Sequence, residues 1–160
     1  RDAAGRAIKA IQTDHMRRRG WNDIGYHYIV DRAGRIWEGR LITQTGAHAG
    51  SLEANQANVG VLLLGNFDVQ SPTAPQLTSS RRLVEALRRR FGIARGGVLS
   101  HNEVRCEGGL GFTSCPGKRL AAWVEAYRRG EVESAGLLAP ASDLRPATPP
   151  GAAGASRVKS

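Results

Sequence analysis

The residues best able to do chemistry in this 160-residue chain concentrate between Ser100 and Gly117. His101 closes the apolar run Gly97-Val98-Leu99-Ser100, and Cys115 stands immediately before Pro116-Gly117 and an amphipathic segment. Imidazole and thiolate together suit a borderline-soft divalent ion such as zinc. A strand end and a helix start, joined by a flexible Gly-rich loop, can bring two such ligands onto one ion. Plainer roles fit the same residues: a Cys106–Cys115 bond, a buried thiol at a helix start, an ordinary surface histidine. The spacing alone does not choose between them.

The elements that must position these groups follow from periodicity. Residues 3–19 read as a helix, with Ile8, Ile11 and His15 recurring on one face and Gly20 as its stop. Arg17, Arg18 and Arg19 fill its last turn, where cations complement the helix dipole. Tyr26 to Val30 and Arg35 to Glu38 flank Asp31-Arg32-Ala33-Gly34 and read as a β-hairpin. Arg40 to Gln56 lacks periodicity and reads as loop around Gly46-Ala47-His48-Ala49-Gly50. Asn58 to Gly65 is a nearly continuous apolar run, expected to be a central strand buried on both faces. Pro72-Thr73-Ala74-Pro75 opens a helix that Gly92 ends. Leu77, Val84, Leu87 and Phe91 form its expected inward stripe, and Arg81, Arg82, Arg88, Arg89 and Arg90 its wet face. Val98 to His101 is expected as a further strand. The last helix follows Pro116, turns Leu120, Trp123, Val124 and Tyr127 inward, and ends at Gly130. From Glu131 the composition shifts to Ala, Pro, Gly and Ser, as in a disordered tail or linker. The expectation is a single α/β domain over residues 1–130, a central mixed sheet flanked by about three α-helices, with a tail over 131–160.

The totals bound the function without selecting it. Hydrophobic residues make up 41% and charged residues 23%, an ordinary balance for a soluble globular protein. No apolar run approaches the roughly 20 residues of a membrane span. The chain opens on Arg1-Asp2, with neither Met nor a signal-like apolar stretch, and reads as cut from something longer. The net charge is +9. Residues 131–160 carry Glu131, Glu133 and Asp143 against Arg145, Arg157 and Lys159, so three minus three leaves the whole +9 on residues 1–130. Such a body attracts polyanions. No aromatic residues interleave with the arginines of the 74–91 helix, so they read as a solvated face rather than a nucleic-acid patch.

Four stretches, taken in order, resemble the peptidoglycan recognition protein family, which includes the phage-lysozyme-type zinc amidases. They are Ile11-Gln12 with His15-Met16 and Gly20-Trp21-Asn22-Asp23-Ile24-Gly25-Tyr26-His27-Tyr28; Asp31 to Arg40; Gly46-Ala47-His48-Ala49 with Asn58-Val59-Gly60-Val61; and His101 with Thr113-Ser114-Cys115-Pro116-Gly117. The resemblance covers about residues 3–129. It implies an N-acetylmuramoyl-L-alanine amidase, which hydrolyses the amide between the lactyl group of muramic acid and the first L-alanine of the stem peptide. The family's zinc ligands are two histidines and a cysteine; His101 matches the second histidine and Cys115 the cysteine. Tyr26 matches the catalytic tyrosine, and Thr113 falls where the phage enzymes carry a lysine. A catalytic zinc keeps three protein ligands and leaves a position for water. A neutral phenol at Tyr26 would donate to the developing oxyanion, and Thr113 would add a second donor.

The muropeptide groove maps by position onto His15, Arg19, Trp21, Tyr26 and His48. The Gly20-Trp21 pair goes, in this family, with diaminopimelate-type stem peptides. The family's first zinc histidine sits on a strand just before the first helix, which here would precede Arg1. His15, His27 and His48 are the remaining histidines, and none matches that position. His27 alternates with Tyr26 along a strand and is expected on the opposite face. The resemblance therefore implies Zn2+, a peptidoglycan or muropeptide partner, no nucleic acid, a monomer, and a secreted or cell-wall setting. A peptidoglycan-binding module without catalysis is the alternative.

Overall fold

The protein is described by a computed structural model that covers residues 2–132. The expected tail lies, from residue 133 on, outside the described residues. Helix α1 spans Ala3–Arg17, two residues shorter than the periodicity suggests. Asp2 caps it, its side chain accepting the Ala4 N–H at 3.1 Å. After it the chain reverses at Gly20, whose φ of +68° is left-handed, and the Trp21 N–H returns to the His15 carbonyl at 3.1 Å.

The hairpin forms as expected, though shorter. Strand β1 (Tyr28–Val30) pairs antiparallel with β2 (Ile36–Glu38), Val30 opposite Ile36. Its turn is organised by Asp31. Oδ1 accepts the N–H groups of Ala33 and Arg35, while Oδ2 accepts Arg35 Nε and Trp37 Nε1. Strand β3 (Val61–Leu63) runs parallel to β1, which makes the sheet mixed, in the order β2-β1-β3. The run Asn58–Gly65 is therefore not the central strand; β1 is, and β3 forms an edge of the described sheet. The run yields only three strand residues because its flanks are otherwise engaged. The Gly60 carbonyl accepts from both His27 and Tyr28, and Asn58 donates its side-chain amide to Ala54.

Helix α2 (Leu52–Asn55), capped by Ser51, interrupts the stretch expected to be loop throughout. Helix α3 (Ala74–Phe91) starts at the Thr73 cap and stops at left-handed Gly92, as its sequence indicates. Gln76, fully buried, donates to the Val30 and Leu64 carbonyls and so pins α3 to the strand ends. Leu83 and Leu87 face the core with Val30, Leu63, Phe67 and Leu120. Phe91 does not face inward; it is 45% exposed at the helix end. Arg88 leaves the expected wet face and bonds Glu85 and the Tyr127 hydroxyl. These contacts tie α3 to α5 (Lys118–Arg128), whose Leu120, Val124 and Tyr127 are buried as expected.

The expected strand at Val98–His101 is absent. A 3-10 turn covers Arg95–Gly97, and His101 opens helix α4 (His101–Glu107). The reason is legible in Ser100-His-Asn-Glu103. The Glu103 N–H donates to the Ser100 hydroxyl, and the Ser100 N–H donates to the Glu103 carboxylate at 2.8 Å, a capping box that starts a helix. His101 therefore sits on the first turn of a helix, not at a strand end. With α2 and α4 the described domain has five helices rather than about three.

Candidate active site

Rings from three segments assemble into one row. Trp21 lies 4.7 Å from His15, His15 5.9 Å from Tyr26, Tyr26 6.2 Å from His48, and His48 5.7 Å from His27, all between ring centroids. Helix α1 supplies His15, the chain around β1 supplies Trp21, Tyr26 and His27, and the 40–51 segment supplies His48. Arg19 closes the row, its guanidinium 5.2 Å from the Trp21 ring. A weak ion pair at 3.9 Å links Arg19 to Asp14, and its side chain remains 57% exposed.

His15 is buried, and its Nδ1 accepts the Gly25 N–H at 3.0 Å. The neutral ring then carries its proton on Nε2. Burial first, and then Arg19 and Arg40, push its pKa below the usual imidazole value. His27 is also buried. Gly60 donates to its Nδ1, so its Nε2 donates to the Gln44 carbonyl at 2.9 Å. Both nitrogens are in use, which removes His27 from the candidate metal donors.

His48 is different. Burial, and then the neighbouring His27 and His101, lower its pKa to about 4, so the ring is neutral near pH 7. Its Nε2 is buried with no hydrogen-bond partner among the described residues. Glycines make room for it. A Cβ on Gly60 would lie 2.2 Å from His48 Cδ2, and one on Gly46 2.5 Å from the same atom. Asn55 fixes the backbone, its Oδ1 accepting the N–H groups of His48 and Ala49 at 2.8 and 2.9 Å. Asn55, Gly46 and Gly60 were not visible as site residues in the sequence. The signal would have been a pair of glycines flanking a histidine that needs space, which only the fold reveals.

Tyr26, His48, His101 and Cys115 line one cavity of about 200 Å3, bounded on its inner side by Val61, Leu63 and Trp123. No Asp, Glu, Lys or Arg lines it. Burial raises the Tyr26 pKa, with Cys115 adding to the rise, so the phenol keeps its proton at neutral pH. Burial and then Asp68 raise the Cys115 pKa, which favours the thiol over the thiolate. Burial and then Arg105 lower the His101 pKa. Cys106 and Cys115 are both free thiols, so the bond between them is not formed. Thr113 is held by Asn102, which accepts its N–H at 2.9 Å, and the Thr113 hydroxyl accepts the Cys115 N–H at 3.3 Å. The residue thus braces the Cys115 turn and is not among those lining the cavity.

Imidazole and thiol on one cavity suit zinc in donor type. In donor number they stop short: among the described residues, no group of three His, Cys, Asp or Glu side chains is placed to hold a metal ion. His15 and His27 spend nitrogens on backbone groups, as above.

Fold and cavity define a class: a mixed-sheet α/β domain whose cavity sets a phenol, two imidazoles and a thiol beside an apolar wall. The chain belongs to the N-acetylmuramoyl-L-alanine amidase family Amidase_2, whose profile matches residues 2–118. It is 34% identical over 114 residues to peptidoglycan-recognition protein SC2 of Drosophila simulans, a match covering 71% of this chain and 58% of that protein. The chain thus spans less than two thirds of that relative's length. Among solved structures, the amidase LysC from Clostridium intestinale superposes with a TM-score of 0.61 at 29% identity, over 74% of this chain and 73% of that one. Peptidoglycan recognition protein LE, solved in complex with tracheal cytotoxin, a monomeric diaminopimelic acid-type peptidoglycan, gives 0.63 at 30% identity, over 78% and 71%.

Proposed function

We propose that this domain binds the stem-peptide region of peptidoglycan along the row from Trp21 to His48 and hydrolyses the amide between muramic acid and L-alanine at the Tyr26 end. The observation that carries this reading is the convergence of a phenol, an imidazole and a thiol (Tyr26, His101 and Cys115) on one cavity from three separate segments. Family membership supports the reaction class. Tyr26, protonated at neutral pH, donates to the oxygen that gains charge as the amide carbon becomes tetrahedral. His15 offers Nε2–H, and Arg19 offers an exposed guanidinium to a stem-peptide carboxylate. Zinc is the proposed cofactor, held by His101 and Cys115 and a third donor that the described residues do not supply. When bound, it supplies a polarised carbonyl and a water of near-neutral pKa. Thr113 acts by holding the Cys115 turn.

Likeness to the structure carrying a diaminopimelic acid-type ligand, together with Gly20-Trp21, supports a diaminopimelate preference. Equal calorimetric affinity for diaminopimelate- and lysine-type muropeptides would overturn that preference. The reading also places the domain at the bacterial cell wall, as a monomer.

One observation favours a second reading, a binding module without catalysis: among the described residues, no three metal-type donors are grouped so as to hold an ion, although His48, His101 and Cys115 all line the cavity. Elemental analysis of the exhaustively dialysed chain separates the two. About one zinc per chain, lost in Cys115→Ser, with L-alanine amino groups released from diaminopimelate-type peptidoglycan, supports the amidase. Muropeptide binding with no zinc and no release supports the module.

A further inference from the structure

A second cavity, of about 340 Å3, holds none of Tyr26, His48, His101 and Cys115, though it shares Asn58 and Val59 with the first. It lies between Ile42–Thr45, the turn after α2 and the C-terminal end of α3. Its volume falls at the small end of the roughly 300–1,000 Å3 typical of small-molecule sites. Tyr26 lines the first cavity and His27, its chain neighbour, lines the second.

The chemistry of its wall is specific. In a chain of net charge +9, no Asp, Glu, Lys or Arg lines this cavity. His27 adds no charge there, since one nitrogen accepts from Gly60 and the other donates to Gln44. The wall has two kinds of surface. Thr43, Gln44 and Thr45 are exposed, and their side chains form no hydrogen bond within the described residues. Their backbone is nonetheless fixed: His27 holds the Gln44 carbonyl, Arg40 holds the Thr45 carbonyl at 2.8 Å, and the Gln44 N–H returns to Leu41. Facing them are Phe91, 45% exposed, with Val59 and Ile93. Arg90 braces the Phe91 ring, its guanidinium 5.3 Å from the centroid. On the same wall, Ala57 holds φ at +52°, a left-handed conformation unusual for a residue with a Cβ.

A fixed loop with free hydroxyl and amide groups, opposite an exposed aromatic ring and without charge, matches a pyranose. Such a ring has an apolar C–H face for the aromatic and a rim of hydroxyls for the polar groups, and an acetamido group adds a neutral donor, an acceptor and a methyl. An anion would find no cation among the lining residues, Arg90 being engaged with the Phe91 ring, and a purely apolar ligand would leave the three polar side chains without use. We propose that this second cavity binds an uncharged N-acetylhexosamine unit of the glycan strand, so that the domain holds sugar on one side of the Tyr26-His27 segment and peptide on the other. The inference rests on the reading that the domain acts on peptidoglycan.

The test is a pair of NMR titrations of the whole chain, one with a peptide-free tetramer of N-acetylglucosamine and one with a diaminopimelate-containing stem tripeptide. The expected result is saturable shifts at Thr43–Thr45 and Phe91–Ile93 for the sugar, and at Trp21 and Tyr26 for the peptide. Phe91→Ala weakens the tetramer by about fivefold and leaves the peptide's affinity as it was. Gln44→Ala, which keeps the backbone carbonyl on His27, also weakens the tetramer and shows that a change in α3 is not responsible. Tetramer shifts confined to Trp21 and Tyr26, or no saturable shifts, would overturn the proposal. Sugar shifts at Thr43–Thr45 with no peptide binding anywhere would sustain the sugar site and instead overturn the proposed stem-peptide function.

Discussion

The hairpin and the rim of the cavity treat their polar groups in opposite ways. At the hairpin turn, Asp31 is 1% exposed and accepts four hydrogen bonds from Ala33, Arg35 and Trp37. His27, equally buried, uses both ring nitrogens. At the rim, the Tyr26 hydroxyl, the His101 ring and the Cys115 sulfur form no hydrogen bond among the described residues, and His48 Nε2 is buried without a partner. Satisfied polar groups hold a fold together, whereas unsatisfied ones around a cavity are held ready for a ligand. Two histidines whose rings lie 5.7 Å apart thus divide the work: His27 is structural, and His48 faces the site.

The contrast breaks most visibly if substitutions at the rim cost stability, or substitutions in the hairpin spare it. Tyr26→Phe should lower amide hydrolysis by a hundredfold or more, about 3 kcal/mol of transition-state stabilisation, while the chemical-denaturation midpoint stays within error. Activity at the level of the parent chain would remove Tyr26 from the reaction. Asp31→Ala should cost about 3 kcal/mol in equilibrium denaturation, because a buried carboxylate leaves four donors behind. A loss under half of that would show that Arg35, whose side chain is 51% exposed, carries the turn through Asp2 instead.

Gly60→Ala lies on the border between the two regions. Its Cβ would fall 2.2 Å from His48, so about 2 kcal/mol of stability should be lost through overpacking. Muropeptide affinity should fall with it, because the ring must move. Gly96→Ala, which meets nothing within 4 Å, is the matched control for both readouts.

A gentler effect comes from pH. The hydrogen bond from Arg128, aided by those from Ser100, draws the Glu103 pKa down to about 2 from the usual 4.5. A carboxylate whose pKa is depressed by folding stabilises above its unfolded value and loses that contribution as pH falls through the folded one. Denaturation midpoints should therefore drop between about pH 4.5 and 2 in the parent chain. The drop should be smaller in Glu103→Gln, and a drop of equal size in both would assign it to other carboxylates.

Thr113→Val should have the smallest effect. It removes the acceptor for the Cys115 N–H while the cavity lining stays in place. Zinc uptake should weaken a few-fold rather than vanish, as read by competition with a chelator. Complete loss of zinc would make Thr113 a donor in its own right.

Much of this was legible before any coordinates. The stops of α1 and α3 declare themselves through glycines at 20 and 92, left-handed in the structure, and the opening of α3 through Pro72-Thr73-Ala74-Pro75. The hairpin follows from aromatic and β-branched residues around Asp31 to Gly34. Those signals are local, so a few residues suffice to carry them. The segment before His101 misled because an apolar run such as Val98-Leu99 fits a strand and a buried turn equally well, and the Ser100–Glu103 capping box outweighed it. Phe91 was misplaced because periodicity says nothing about where a neighbouring element ends.

By itself, the sequence determined the donor types, the family motifs, the extent of the long helix α3 and the fact that all the excess charge lies ahead of residue 131. Only the tertiary structure decided which histidine nitrogens are spent on backbone groups and which are not, because hydrogen-bond partners 10 to 33 residues away leave no trace in spacing. It also decided that glycines at 46 and 60 make space for His48, and that Asn102 of α4 holds the loop carrying Thr113. Contacts of this kind depend on how distant segments close upon one another, and a one-dimensional pattern does not record that closure.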